Sequence, residues 1–500
     1  MDQRFISGIL NKILTIILCA LPVVLASFLY PDFLGDDTYI HIGFILGLLN
    51  GEGFAFTGSV TYGSTSPMWV FMGAFISIIT DNPEFSVRLL SGIFSVISVF
   101  LFLIIADILK LRSSIKFIAA LSFCLNPFFL RWAISGMEAT ASIAILLFLV
   151  YTYYDRYHVR HPYIYGLLLG FAFLIRPEFI VYFFIFILFM FFVNTHHRKQ
   201  TFKTLLSGIS LFSAWFLFAY LHFGTIIPNT YRAKAPGGFF TMTFEGTIRN
   251  IKLLLGGNIP EFILLSIIIL ITIILLLKKD QKFIEEFVRL LDRLRHTGLM
   301  LAIMFFVSFY VYYTVKDVTI ISRYSLMFVP VIILFVAALI NLLTNYKSQF
   351  NLSLVAIYSV LVLLIHIHIT FSVVKPASDL FVKGFQNSYK EIANFIKMDE
   401  NDDFKTVALN DVGIVGCYSG AKVYDLAGLV DADRFNYENV SDYVKAKNPH
   451  YLVLREDVKL TDAIDSNIRT EIIYQKEIPG FGINSLENRT VTLYRLYWNE

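Results

Sequence analysis

The sequence predicts a mainly α-helical, polytopic membrane protein with a small α/β domain at its C-terminal end. Its 500 residues are 56% hydrophobic and only 16% charged, whereas an ordinary soluble protein has about 25% charged residues. Apolar runs long enough to cross a bilayer recur up to about residue 374. Beyond that point the apolar runs shorten and charged residues become frequent. We therefore expect a membrane domain at 1–374 and an extracytoplasmic α/β domain at 375–500.

About eleven apolar runs suit transmembrane helices, since roughly 20 residues cross a hydrocarbon core of ~30 Å. The segment 66–80 is shorter, and as a helix it reaches only about 22 Å. Ser66 and Pro67 favour a helix start there, as N-cap and first helical residue. We place this segment and a predicted helix at 38–49 in the first outer loop, as interfacial helices. The predicted spans are 9–30, 85–109, 115–130, 138–154, 163–176, 177–193, 203–222, 260–277, 298–315, 324–344 and 351–374.

The basic loops predict the orientation, because Lys and Arg concentrate in the cytoplasmic loops of membrane proteins. If 66–80 does not span, every strongly basic loop falls on the side of the N-terminus. If it spans, all of them move to the outside. We therefore predict a multi-pass protein of the bacterial inner membrane, with a cytoplasmic N-terminus and an extracytoplasmic C-terminal domain. The basic loops are 110–116, 155–162, 194–203, 278–297 and 345–350.

Charge and cysteine spacing exclude some partners and sites, and local patterns predict the elements of the C-terminal domain. A net charge of +3 is too small to indicate nucleic acid. The three cysteines are far apart in the sequence, so they predict no disulfide or zinc site. Glycines in the segment 411–420 predict a loop with tight turns. The predicted strands are 406–409, 422–426, 450–454, 470–478 and 490–498, and the predicted helices are 388–398 and 439–447.

The outer loop 31–69 contains the adjacent carboxylates Asp36 and Asp37 and no Lys or Arg. Adjacent carboxylates repel, which raises the pKa of one of them. A carboxylate with such a pKa can take a proton from a sugar hydroxyl, and a pair can also hold a divalent cation. The structural alternative is an N-cap and a first-turn acid for the following helix. His41, one turn from Asp37 on the same face, is a candidate binding residue or an interfacial polar residue.

Further polar residues fall on the same outer face at the ends of predicted spans. Glu138 opens one span, and it is either a ligand or a first-turn acid. Pro177 breaks a long apolar run, and Arg176 and Glu178 flank the break. These two side chains either pair with each other or bind substrate. Charged groups at membrane depth are costly and usually functional.

Two outer segments add cations that suit a lipid phosphate. In the segment PNTYRAK, Arg232 and Lys234 stand beside the aromatic Tyr231. Lys316 and Arg323 flank the start of a later span. The alternative role for such residues is to anchor the helices at the lipid headgroups. A carboxylate base and several cations on one face fit displacement at a phosphate-activated carbon, because the cations stabilise the leaving phosphate.

The ordered set of motifs resembles the GT-C class of polytopic glycosyltransferases, which use polyprenyl-phosphate sugars. Within that class it most resembles the bacterial branch that includes the mycobacterial terminal arabinofuranosyltransferases. The resemblance covers most of the chain. The motifs are DDTYI (36–40), GEGFAFT (51–57), YGSTSPMW (62–69), SGME (135–138), RPE (176–178), PNTYRAK (228–234), RY (323–324) and DVGIVGCYSG…YDLAGL (411–429), with Cys417 where the family often has Tyr.

This resemblance implies that Asp36 is the catalytic base and that Asp37 supports it or holds a Mg, Mn or Ca ion. It implies a donor and acceptor cavity lined by Glu138, Arg176, Glu178, Lys234 and Arg323. The implied reaction moves a sugar from a polyprenyl phosphate to a hydroxyl of a cell-envelope glycan, lipid or protein, with inversion. The alternatives are a polysaccharide polymerase or ligase that uses lipid pyrophosphate, and a transporter of lipid-linked glycans, which would show repeats and charges at mid-membrane.

Overall fold

The computed structural model describes residues 3–234, 241–347, 349–400, 404–456, 458–464, 468–479 and 488–498, and of residues 3–10, 234 and 349–352 it describes the backbone only. The helices before the C-terminal sheet are α1 (Gln3–Leu29), α2 (Asp36–Leu49), α3 (Pro67–Thr80), α4 (Pro83–Ile108), α5 (Ser113–Leu125), α6 (Pro127–Trp132), α7 (Ala139–Tyr154), α8 (Tyr157–Arg160), α9 (Pro162–Ile175), α10 (Phe179–Phe192), α11 (Arg198–Phe223), α12 (Asn229–Lys234), α13 (Phe244–Gly257), α14 (Ile259–Leu277), α15 (Gln281–His296), α16 (Leu299–Val315), α17 (Ser322–Ser325), α18 (Val329–Tyr346) and α19 (349–398). A short hairpin of β1 (Ala55–Phe56) and β2 (Ser59–Val60) lies between α2 and α3.

The helices confirm a polytopic membrane protein. Among the described residues, six helical segments are long and apolar enough to cross a membrane, and α15 with α16, bent by 79°, makes a seventh if the pair is one span. The other predicted spans are apolar helices of 13 to 16 residues, namely α5, α7, α9 and α10. The predicted total of eleven spans stays a prediction. The segment 66–80 forms α3, with Ser66 as N-cap and Pro67 as first residue, as predicted.

Hydroxyl groups join the two central helices α4 and α7. Ser95 donates to the carbonyl of Ala133 at 2.9 Å, and Thr140 donates to the carbonyl of Ser91 at 3.0 Å. Such bonds satisfy polar groups where lipid and apolar side chains offer no partner. They also fix the segment that connects α6 to α7, and this segment carries Glu138.

The C-terminal region has a five-stranded mixed sheet of order β4-β3-β5-β7-β6. Strand β3 pairs in parallel with β4 and β5, and β7 pairs antiparallel with β5 and β6. All five predicted strands and both predicted helices are present. The elements are β3 (Thr406–Leu409), α20 (Val412–Tyr418), β4 (Lys422–Asp425), α21 (Val440–Lys447), β5 (Tyr451–Arg455), α22 (Leu460–Ala463), β6 (Arg469–Ile478) and β7 (Arg489–Tyr497).

Two features of this region differ from the expectation. The predicted helix 388–398 is the end of α19, which runs without a break through residue 375, so the predicted domain boundary falls inside a helix and stays a prediction. The predicted loop 411–420 was wrong, because residues 412–418 form α20. Its apolar side chains are buried, and its two glycines serve close packing rather than turns. Within this segment only Gly420, after the helix, has a positive φ, of 69°.

Candidate active site

A cavity of about 300 Å³ lies where α2, α7, the α9–α10 break, α12 and the α16–α17 connection converge. Its wall combines carboxylates, cations, hydroxyls and four tyrosines. It brings together Asp37, His41, Glu138, Arg176, Glu178, Tyr231 and Arg323 from the predicted site residues. The full lining is Asp37, Ile40, His41, Gly63, Ser64, Thr65, Met137, Glu138, Arg176, Pro177, Glu178, Pro228, Thr230, Tyr231, Tyr312, Tyr313, Lys316, Val318, Arg323, Tyr324 and Leu429.

The acidic pair opens α2, with Gly35 in extended conformation as the N-cap. Both carboxylates therefore stand in the first turn, where the helix dipole favours negative charge. The two side chains occupy different surroundings. Asp37 lines the cavity and pairs with the guanidinium of Arg323. Asp36 is half-buried and is not part of the lining.

The Asp36 carboxyl faces the C-terminal domain. Its Oδ1 is enclosed and has no hydrogen-bond partner among the described residues. Burial raises the pKa of Asp36 well above its usual range, and the nearby carboxylates of Asp411 and Asp37 raise it further. The pair thus contains one carboxylate held by a cation and one that favours a proton.

Five charged or titratable side chains of the cavity wall form a continuous network. Glu138 Oε2 lies 3.3 Å from His41 Nε2, and Glu138 Oε1 accepts a bond of 2.8 Å from Arg176 Nη1. Arg176 Nη2 also donates to Glu178 Oε1 at 2.8 Å, and the hydroxyl of Tyr313 donates to the same oxygen at 3.1 Å. The Arg176 side chain is only 4% exposed, so its two carboxylate partners balance a desolvated charge.

Local sequence explains how two of these groups reach the network. Gly136 adopts a φ of 76°, and a side chain there would meet Thr38 at 2.6 Å, so glycine permits the turn that delivers Glu138. Arg176 is extended, with φ −149° and ψ 127°, because the residue before a proline avoids the helical conformation. Pro177 therefore ends α9 and directs the guanidinium inward.

The ring of Tyr324 contacts both arginines of the cavity. The guanidinium carbon of Arg176 lies 4.9 Å from the ring centre of Tyr324, and that of Arg323 lies 5.1 Å from the same ring. Asn250 fixes the α16–α17 connection that precedes Arg323, since its side-chain oxygen accepts a hydrogen bond from the amide of Ile320 at 3.1 Å. A ring between two cations holds both in fixed orientations.

The segment 228–234 contributes less to the cavity than predicted. Tyr231 lines the cavity. Arg232 does not, and its guanidinium carbon lies 4.3 Å from the ring centre of Phe435 in the C-terminal domain. The side chain of Lys234 lies outside the described residues. The predicted substrate contacts of Arg232 and Lys234 therefore stay predictions.

The lining residues outside the set of site residues predicted from sequence include the aromatic and charged residues Tyr312, Tyr313, Lys316 and Tyr324. The tyrosines stand at the ends of apolar runs, where interfacial aromatic belts are equally expected, so the sequence offered no signal to separate the two roles. Lys316 was recognised only as an outer-face cation.

In the part of the chain that the structure describes, no three His, Cys, Asp or Glu side chains are grouped as a metal site. A divalent cation on Asp36 and Asp37 stays a prediction.

Comparisons with known proteins agree with this architecture. Residues 64–221 match the family model of dolichyl-phosphate-mannose-protein mannosyltransferases, and residues 381–494 match a domain of unknown function. No curated protein matches the chain significantly. The crystal structure of ArnT from Cupriavidus metallidurans bound to undecaprenyl phosphate superposes with a TM-score of 0.60. That likeness covers 95% of this chain and 97% of ArnT at 9% sequence identity.

The family match and the shared fold confirm the predicted class, a membrane glycosyltransferase of the GT-C type. Glu138, Arg176 and Glu178 lie inside the matched range 64–221, whereas the acidic pair precedes it. The narrower resemblance, to the arabinofuranosyltransferase branch, stays a prediction.

Proposed function

We propose that the chain transfers a sugar from a polyprenyl-phosphate donor to a hydroxyl of a cell-envelope acceptor, with inversion at the anomeric carbon. The reaction takes place on the extracytoplasmic face of a bacterial inner membrane, with the N-terminus in the cytoplasm. The observation that carries this proposal is the convergence of carboxylates, two arginines and a lysine on one cavity beside membrane helices, where Asp37 lines the wall and Asp36 precedes it in the chain. ArnT, which shares the fold, binds undecaprenyl phosphate.

In this proposal Asp36 is the general base and Asp37 is its support. A carboxylate that is paired with an arginine is a weak proton acceptor, and Asp37 is paired with Arg323. Asp36 has the raised pKa, and a base works best when its pKa lies near the working pH. The acceptor hydroxyl then has to reach Asp36 beside Asp37, outside the lining of the cavity.

The displacement proceeds in one step. The acceptor oxygen bonds to the anomeric carbon, the bond from that carbon to the phosphate oxygen breaks, and the hydroxyl proton passes to Asp36. Arg323 and Lys316 stabilise the departing phosphate as its charge develops. Arg176 already faces two carboxylates, so it orients Glu138 and Glu178 toward the sugar rather than taking the phosphate.

A transfer assay on the full chain in lipid nanodiscs tests this function. A panel of polyprenyl-phosphate sugars is offered with short glycan acceptors, and release of polyprenyl phosphate is followed. We expect Asp36→Asn to lower the rate by about 10²-fold to 10⁴-fold, the usual contribution of a general base. The control is Asp32→Asn, the same change at an exposed acid of the same loop, which should keep the wild-type rate.

The other outcomes decide against parts of the proposal. Equal rates for Asp36→Asn and wild type would remove Asp36 as the base. A large loss in Asp37→Asn alone would assign the base to Asp37. Release from lipid pyrophosphate donors only would make the protein a polymerase or ligase. Movement of a lipid-linked glycan without release from any donor would indicate a transporter.

A further inference from the structure

The helix α20 of the C-terminal domain lies directly on the first residue of α2. A Cβ atom on Gly413 would stand 2.4 Å from the backbone carbonyl oxygen of Asp36 and 2.7 Å from its Oδ1, closer than real side chains come. Three residues later, a Cβ atom on Gly416 would stand 2.5 Å from the ring of Phe56. Each glycine therefore permits a close approach to the first outer loop, but only Gly413 contacts the acidic pair.

The loop that follows β4 contributes to the cavity itself. Leu429 lines the cavity, and its carbonyl oxygen lies so close to Gly63 that a Cβ atom there would be 2.8 Å away. Asp425 holds this loop in shape, since its carboxylate accepts the amides of Ala427 and Val430, each at 2.8 Å. The wall of the cavity is therefore built by both regions of the chain.

Hydrogen bonds fix α20 in this place. The thiol of Cys417 donates to the carbonyl of Tyr39 at 3.0 Å, one turn along α2 from Asp36. The hydroxyl of Tyr418 donates to Glu84 at 2.7 Å, at the start of α4. Two elements of the membrane region thus hold the helix in register over the acidic pair.

We propose that the C-terminal domain is a working part of the catalytic site, in which Gly413 positions the carboxyl of Asp36 and Leu429 closes the cavity. This inference rests on the proposed function and goes beyond it, because it makes Gly413 a positioning residue. A module that only binds a partner would not need its backbone against a catalytic carboxylate. Both glycines allow α20 to pack closely on the first outer loop, but only Gly413 contacts Asp36. A comparison of variants at the two positions therefore distinguishes a positioning role from simple docking of the domain.

The surroundings of Asp36 give this positioning a measurable signature. The titratable groups around its carboxyl are Asp37 on α2, Asp411 before α20, Cys417 on α20 and Tyr389 on α19. The thiol and the phenol are neutral at neutral pH. Burial by α20 is the largest cause of the raised proton affinity of Asp36, the two carboxylates add to it, and the backbone amides of Ile414 and Gly413 offset it only in part. A methyl group at 413 forces α20 away from Asp36 and admits water, which favours the charged carboxylate.

The experiment compares Gly413→Ala with Gly416→Ala in full-length protein in nanodiscs, with kcat and KM for the lipid donor measured across pH. We expect Gly413→Ala to lower kcat by up to about 100-fold, the effect of a misplacement near 1 Å, while KM for the donor stays near wild type. The acid limb of its kcat profile should move to lower pH. Gly416→Ala should keep the acid limb of the wild type.

Equal acid limbs in wild type and both folded variants would overturn the positioning role while leaving transfer by the wild type intact. Absence of transfer by the wild type would instead contradict the proposed function. If Gly413→Ala does not fold, Asp411→Asn replaces it, because this change removes a nearby negative charge without added volume. Its acid limb should also move to lower pH, and an unchanged limb would overturn the inference.

Discussion

Buried carboxylates are held in two different ways in this protein. In the cavity, Glu138 and Glu178 are held by cations, chiefly Arg176, so each buried negative charge meets a positive one. At the C-terminal side, Asp425 is held by backbone amides, and Asp36 lies between other carboxylates. Cation pairing favours the charged carboxylate, whereas burial raises the pKa of Asp425 to about 7 and that of Asp36 well above its usual range.

The two kinds of carboxylate suit two different tasks in the site. In the proposed reaction, the charged network fixes the geometry of the cavity wall, where a change of charge would disrupt binding of the donor. The carboxyl of Asp36 stands at the junction with the C-terminal domain, and in the same proposal it accepts and releases the proton. Three further experiments test this contrast.

Removing the central carboxylate of the paired network should have the largest effect. Glu138→Ala leaves Arg176 with one carboxylate fewer and His41 without its partner. Breaking a buried pair costs about 3–5 kcal/mol, so we expect a marked fall in the thermal unfolding midpoint in detergent. The control Glu84→Ala removes a carboxylate that accepts one bond at the surface, from Tyr418, and should cost about 1 kcal/mol. Equal losses would show that the network does not balance a buried charge.

Asp425 should show the titrating behaviour as a pH dependence of stability. Burial raises the pKa of Asp425 to about 7. Between its ordinary value near 4 and about 7, the folded protein retains a proton that the unfolded chain has lost. Stability therefore falls as pH rises through this window and levels off above it. The loss is at most about 4 kcal/mol, at about 1.4 kcal/mol per pH unit.

The measurement is the free energy of unfolding of wild type minus that of Asp425→Asn between pH 4 and 8. This difference should decrease with pH, because the variant lacks the titrating group. A difference that increases with pH would mean that the amides of the loop lower the pKa of Asp425, which would place it with the fixed charges of the cavity.

Removing the hydroxyl group of Tyr313, at the edge of the paired network, should have the smallest effect on stability. Tyr313→Phe removes the bond of 3.1 Å to Glu178 but keeps the ring stacked on Phe309, with centres 4.3 Å apart. One lost hydrogen bond costs about 1 kcal/mol, so the unfolding midpoint should fall slightly. Tyr312→Phe is the control, since Tyr312 is 48% exposed and should have no effect. A loss as large as that of Glu138→Ala would mean that Glu178 depends on Tyr313 rather than on Arg176.

The errors of the sequence-based prediction have physical causes. Residues 411–420 read as a loop because two glycines and a following Ser-Gly weaken a helix locally. The burial of Val412, Ile414 and Val415 offsets that weakness. Gly413 is required by its contact with α2, and Gly416 by its contact with Phe56 of β1. Tyr312, Tyr313 and Tyr324 were missed because interfacial belts and the walls of binding cavities use the same residue.

By itself, the sequence determined the membrane class, the apolar helices, the five strands, the break at Pro177 and the acidic pair at the head of α2. Those features follow from composition, periodicity and turn chemistry, which act over a few residues. Which charged side chains pair with each other depends on the tertiary structure. Glu138 contacts His41 across 97 positions of sequence and Arg323 reaches Asp37 across 286, whereas Asp36 meets Gly413 instead of the cavity. Such pairings depend on how helices pack and loops close, and no local pattern in the chain encodes them.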